Sequence, residues 1–113
     1  MKNNLMDLML KITEFRDERN WKQFHNAKDL SISLSLEASE LLENFQWKNN
    51  EEAIEENIEN IKDELADVLI YSMLLANNLE LDIEEIVKTK LEKNKNKYPV
   101  EKAYGIKTKY TDL

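Results

Sequence analysis

A chain of 113 residues is long enough for one domain, residues 1–113, around one core. One Gly, one Pro and 35% charged residues predict an all-α protein, and the lack of Cys excludes disulfides and thiolate chemistry and fits the cytoplasm. The net charge of −7 argues against a nucleic-acid polymer as partner, and no apolar run of about 18 residues is present to span a membrane.

Met1-Lys2-Asn3-Asn4 leads into an amphipathic pattern without the apolar block of a signal peptide. Leu5, Leu8, Ile12 and Phe15 recur at helical spacing and predict a first helix over 4–19. Residues 20–25 read as a connector carrying Trp21 and Phe24. Asn26 is placed to cap a second helix that runs to Phe45. Residues 46–50 break the pattern, with Asn50 as the next cap. A third helical region covers 51–77. Its first part, 51–59, is polar nearly all round and reads as a separate short helix, whereas 61–75 is apolar enough to be central. Asp82 and Glu85 resemble a capping box that opens a fourth helix, which ends at Lys97 because Tyr98 precedes Pro99. The tail, 100–113, holds Gly105 and is predicted to be extended. The sum is a small four-helix bundle.

Four carboxylates stand out against this frame. Glu37 and Glu40 sit in Leu36-Glu37-Ala38-Ser39-Glu40, and Glu64 and Asp67 in Asp63-Glu64-Leu65-Ala66-Asp67. Each pair is spaced i,i+3 and so projects from one helix face. Leu30, Leu34, Glu37 and Leu41 form one stripe, and Ile61, Glu64, Tyr71 and Leu74 another, so these acids are carried toward a core that charges avoid. At i±3 and i±4 from them the only charged residues are other acids. Such a group protonates or binds a cation, and all-oxygen ligands suit Mg²⁺, with Mn²⁺ as a substitute. The ion would orient phosphoryl oxygens and activate water, with Glu37 or Glu40 accepting the proton. Glu51, Glu52, Glu55, Glu56 and Glu59 read instead as an ordinary solvated face.

Other residues carry a functional and a plainer reading side by side. Lys90, Asn94 and Lys97 share one stripe and suit a polyphosphate, yet late-helix lysines also complement the helix dipole. Trp21 and Trp47 lie in connectors, where they could stack a nucleobase or pack at a junction or subunit interface. His25, the single histidine, lies outside the carboxylate stripes and reads as a hydrogen-bonded cap rather than a catalyst. Tyr71, one turn past Asp67, could reach a ligand at the acids or pack in the core.

Taken together, these segments resemble the MazG-like nucleoside triphosphate pyrophosphohydrolases, and most closely their dCTP pyrophosphatase branch. The likeness rests on Glu37-x-x-Glu40 and Glu64-x-x-Asp67. It also rests on the segments Phe15 to His25, Phe45-Gln46-Trp47-Lys48, Glu64 to Tyr71, Lys97-Tyr98-Pro99-Val100 and Lys109 to Leu113. It covers the chain from about Leu8 onward. The resemblance implies a helical bundle that assembles as a homodimer or homotetramer. It implies Mg²⁺-dependent hydrolysis of a deoxynucleoside triphosphate, dCTP or a 5-modified dCTP, to the monophosphate and pyrophosphate. Glu37, Glu40, Glu64 and Asp67 would hold metal and act in catalysis. Trp21 and Trp47 would enclose the base with His25 nearby, and Tyr71, Lys90, Asn94 and Lys97 would contact sugar or phosphates.

Two departures bear on specificity and packing. Ile12 stands where animal members often carry His, which removes one contact to the base. Leu36 and Ser39 stand where many members have Gly before each Glu, which changes how closely the second helix packs on a neighbour. Two rivals come from other classes. A ferritin-like bundle would use Glu-x-x-His pairs, and no His lies at i+3 from a Glu here. A non-catalytic partner protein would use the acidic face to bind a basic surface.

Overall fold

The computed structural model describes residues 4–113; Met1, Lys2 and Asn3, the start of the segment read above as lacking a signal block, lie outside the described residues. Among the described residues five α-helices follow in chain order: α1 Asn4–Glu18, α2 Ala27–Glu43, α3 Asn50–Asn78, α4 Ile83–Lys97 and α5 Val100–Ala103. Short 3-10 turns cover Trp21–Phe24 and Tyr110–Asp112. There is no strand among the described residues, and no helix is long and apolar enough to cross a membrane. The chain divides into two compact units, one ending at Glu80 and the other covering Leu81–Leu113.

The first unit is built on the long pairing of α2 with α3, with α1 packed on α3. Its buried apolar side chains are Ile12, Leu30, Ala53, Met73, Leu74 and Ala76. The stripes expected from periodicity face inward: Leu30 and Leu74 are buried, and Leu34, Leu41, Ile61 and Tyr71 are half-buried. Asn26 caps α2 as expected; its side chain accepts from the Asp29 amide at 2.8 Å and donates to the Asp29 carboxylate at 2.8 Å. α2 stops at Glu43 rather than Phe45, because 44–47 form turns.

Three expectations are corrected. The cap of α3 is Asn49, not Asn50: the Asn49 side chain accepts from the Glu52 amide at 2.9 Å, and Asn50 is already helical. Residues 51–59 are not a separate helix but the first third of a continuous 29-residue α3. This polar stretch stays helical because it is tied down. Ala53 is fully buried, Asn57 and Asn60 hydrogen-bond to Asn44, and Glu56 pairs with Lys48. The tail is not simply extended, since it contains α5 and a 3-10 turn. In this second unit Asp82 caps α4 by accepting from the Glu85 amide at 3.1 Å. Tyr110 packs edge-on against Tyr98, with ring centroids 5.8 Å apart, and lies under the Lys97 ammonium at 4.7 Å.

Candidate active site

The pairing of α2 with α3 decides where the acids go. Glu37 and Glu40 face α3 from the last turns of α2, and Glu64 faces α2 from the middle of α3. Each offers a carboxylate oxygen, and these oxygens all lie within 4.8 Å of one another. Glu40 is exposed, while Glu37 and Glu64 are half-buried. One oxygen of each buried-side acid, Glu37 Oε2 and Glu64 Oε2, is sealed from solvent without a hydrogen-bond partner. Such a group is costly unless something fills it. None of the ion pairs among the described residues involves Glu37, Glu40, Glu64 or Asp67.

The electrostatics follow. Burial, then the Glu40 carboxyl beside it, then the charges of Asp67 and Glu64 push the Glu37 carboxyl up to about 7. Glu64 is raised as well, first by burial and then by Glu40 as hydrogen-bond partner and as charge; the Asp67 charge adds to this, and a hydrogen bond with Glu37 works against it. Asp67 is therefore near enough to act on both, although it stands outside the tight group of three. Hard oxygen ligands, unsatisfied buried oxygens and no neutralising base are the properties that a Mg²⁺-class cation site requires.

Asp67 also lines a cavity of about 350 Å³ beside the cluster. α1 contributes Lys11, Ile12 and Phe15 to its wall, the 3-10 turn contributes Trp21, and α3 contributes Ile70, Tyr71 and Leu74. Trp21 meets Phe15 edge-on, with centroids 5.7 Å apart and planes at 77°. His25 lines the same cavity; its Nδ1 is sealed without a partner, and burial, aided by the Arg16 charge, holds its pKa below the usual range. Its backbone carbonyl accepts from Asn78 at 3.3 Å, which anchors the connector to the end of α3.

Trp47 is not in this cavity. It stands 93% exposed in the turn between α2 and α3, with a left-handed φ of 64°, a rare backbone for a bulky side chain. Lys90, Asn94 and Lys97 lie on α4 in the second unit, where Lys90 and Asn94 line a shallow groove with Ile86, Val87 and Leu91. Sequence reasoning missed two buried polar residues. Arg16, 5% exposed, donates to Asn77 Oδ1 at 2.8 Å and to Asp17 at 2.8 Å. It follows Ile12 by one turn, and that stripe position was the available signal. Asn44, 6% exposed, fell at the end of the predicted second helix, where no local signal set it apart.

Fold and site define an all-α protein that gathers a cluster of carboxylates, able to hold a metal ion, beside an aromatic cavity. The chain belongs to the MazG-like family, whose model matches residues 32–113. It is 38% identical over 114 residues to dCTP pyrophosphatase 1 of Bos taurus, covering 96% of this chain and 68% of the relative. Against dCTP pyrophosphatase 1 of Homo sapiens the identity is 36% over 114 residues, covering 96% and 67%. A crystal structure of a pyrophosphatase from Archaeoglobus fulgidus superposes with a TM-score of 0.83 at 40% identity, covering 88% of this chain and 95% of that one. The resemblance read from the sequence and the fold class agree with these matches.

Proposed function

We propose that this chain is a nucleotide-pool enzyme of the cytoplasm that hydrolyses a deoxynucleoside triphosphate, dCTP or a 5-modified dCTP, to the monophosphate and pyrophosphate. The observation that carries the reading is the convergence of Glu37, Glu40 and Glu64, two of them with sealed, unpartnered oxygens, beside an aromatic cavity that shares Asp67 with them. The similarity to dCTP pyrophosphatases supports the substrate class.

Glu37, Glu40, Glu64 and Asp67 would hold Mg²⁺, with Mn²⁺ as a substitute. Such an ion supplies charge compensation for phosphoryl oxygens and makes water more acidic. The residues of the chain do the rest. Glu40, the most accessible of the three clustered acids, is the acceptor for the proton of the attacking water. Trp21, fixed edge-on by Phe15, offers a face for the base, with stacking worth about 1–3 kcal/mol. Tyr71 and His25 present polar groups on the same wall. Lys90, Asn94 and Lys97 of α4 are assigned to the phosphates. The apolar side chains left exposed on α2 and α3, among them Ile32, Leu36, Leu65 and Leu69, favour a homodimer or homotetramer.

A panel of natural and 5-substituted deoxynucleoside triphosphates with Mg²⁺, scored for monophosphate and pyrophosphate, tests the reading. dCTP and its 5-modified forms should be turned over fastest. Release of inorganic phosphate alone, or no cleavage of any member, would remove it. Ile12 makes one wall of the cavity apolar, so the panel extends to thymine and purine nucleotides. Trp21→Ala should raise KM about tenfold, in line with the loss of one stacked base, and leave kcat within about twofold. Unchanged KM would free Trp21 from any role at the base; Trp47, outside this cavity, is assigned to the base by the resemblance to the family.

A further inference from the structure

Asn44 is a buried amide at the end of an apolar stripe, and every polar atom it has is used. Its Oδ1 accepts from Asn60 Nδ2 at 2.7 Å, and its backbone carbonyl accepts from Asn57 Nδ2 at 2.8 Å. Its own Nδ2 donates to the carbonyls of Leu41 at 3.2 Å and Glu40 at 3.4 Å. Asn44, which caps the C-terminal end of α2, follows Glu40 by four residues, and Asn60 precedes Glu64 by four on α3. The Asn44–Asn60 contact is thus the neighbouring rung to the Glu40–Glu64 contact on an antiparallel pair, about 6 Å along the axis.

That placement has a consequence for the acids. Leucine contacts between helices tolerate small slides, whereas a fully satisfied buried amide network has a single arrangement. A slip of one residue moves a helix by about 1.5 Å and breaks both amide bonds to α3. The like charges of Glu37, Glu40 and Glu64 push the helices toward such a slip or splay, because no base offsets them. The amide rung sits where that push is applied, and it reaches the backbone of Glu40 itself.

We propose that Asn44, with Asn60 as its partner, is a positioning residue that locks α2 against α3 in the register that brings Glu40 and Glu64 together. The inference rests on the reading of the acids as a cation site.

The test is a titration of nucleotide-free protein with Mn²⁺ alone, followed by electron paramagnetic resonance, on wild type, N44L and N60A. Both variants should keep their helix content by circular dichroism and bind Mn²⁺ about tenfold more weakly, the scale of losing a residue that orients metal ligands. Metal affinity is read on folded protein, so a cap with a purely structural role would lower Tm and leave it alone. Mn²⁺ affinity within about twofold of wild type in the folded variants overturns the proposal and leaves the cation site standing. Absence of Mn²⁺ binding by wild type removes both. Should N44L fail to fold, N60A decides, because Asn60 is exposed and its loss leaves no cavity.

Discussion

Glu40→Gln or Asp67→Asn should reduce pyrophosphate release by about a hundredfold or more, with the helices intact. Each change keeps size and shape and removes one charge, so it separates electrostatics from packing. Residues that merely orient metal ligands already cost about 10–100-fold, and a ligand itself should cost no less. The same substitution should act oppositely on the fold. In wild type without a cation, Glu37, Glu40 and Glu64 repel one another and none has a basic partner. An amide in place of Glu40 relieves that repulsion, so the variant should melt above wild type in EDTA and below it in excess Mg²⁺. A rise in stability with a loss of activity marks a site held at the expense of the fold. Full turnover in either variant would remove the cluster from the mechanism. A melting temperature in EDTA that falls would show that these acids stabilise one another by hydrogen bonds and do not need a cation.

Much of this arrangement was legible in the sequence, and the reasons are physical. Helical period and caps are local properties, so Asn26 and Asp82 were read directly from spacing. The acids were legible because basic residues are missing at i±3 and i±4 from each, which no solvated face requires. Long-range tethers were not legible. The start of α3 looks too polar to be anything but a detached helix, and the burial of Ala53, the Glu56–Lys48 pair and the reach of Asn57 and Asn60 back to Asn44 show why it is continuous. Arg16 looked like one of several charges in Arg16-Asp17-Glu18-Arg19, yet it is the one that turns inward to Asn77, 61 residues away. Trp47 was read as an aromatic in a connector, and it is one; its left-handed backbone and near-complete exposure depend on the geometry of the turn.

The pH dependence of stability offers the most direct view of the cluster, because its sign changes with the cation. In the metal-free fold Glu37 titrates near 7 and Glu64 is also raised, whereas the unfolded chain loses these protons near 4.5. Between those values these two acids hold more protons in the folded state than in the unfolded state, so their contribution to stability falls as pH rises. The contribution is complete below about 4.5 and is lost as pH passes through 7. Asp17, lowered by its bond to Arg16, has the opposite sign, but its window lies below 3.8 and does not overlap. His25, held below 6.5 by burial and the Arg16 charge, also has the opposite sign and offsets part of the fall below 6.5, in EDTA and in Mg²⁺ alike. Excess Mg²⁺ should reverse the trend, since it binds the deprotonated acids of the folded state and not the unfolded chain. At a hundredfold excess over Kd the gain is about 2.7 kcal/mol, on the order of 10 °C in a domain of this size. Melting curves in EDTA and in Mg²⁺ should therefore nearly coincide at pH 5 and separate steadily to pH 8. In Glu37→Gln the EDTA curve should lose most of its slope. Curves that stay parallel across this range would mean that the carboxyl groups of Glu37 and Glu64 ionise freely in the folded protein, and no cation would then be needed to hold α2 and α3 together at neutral pH.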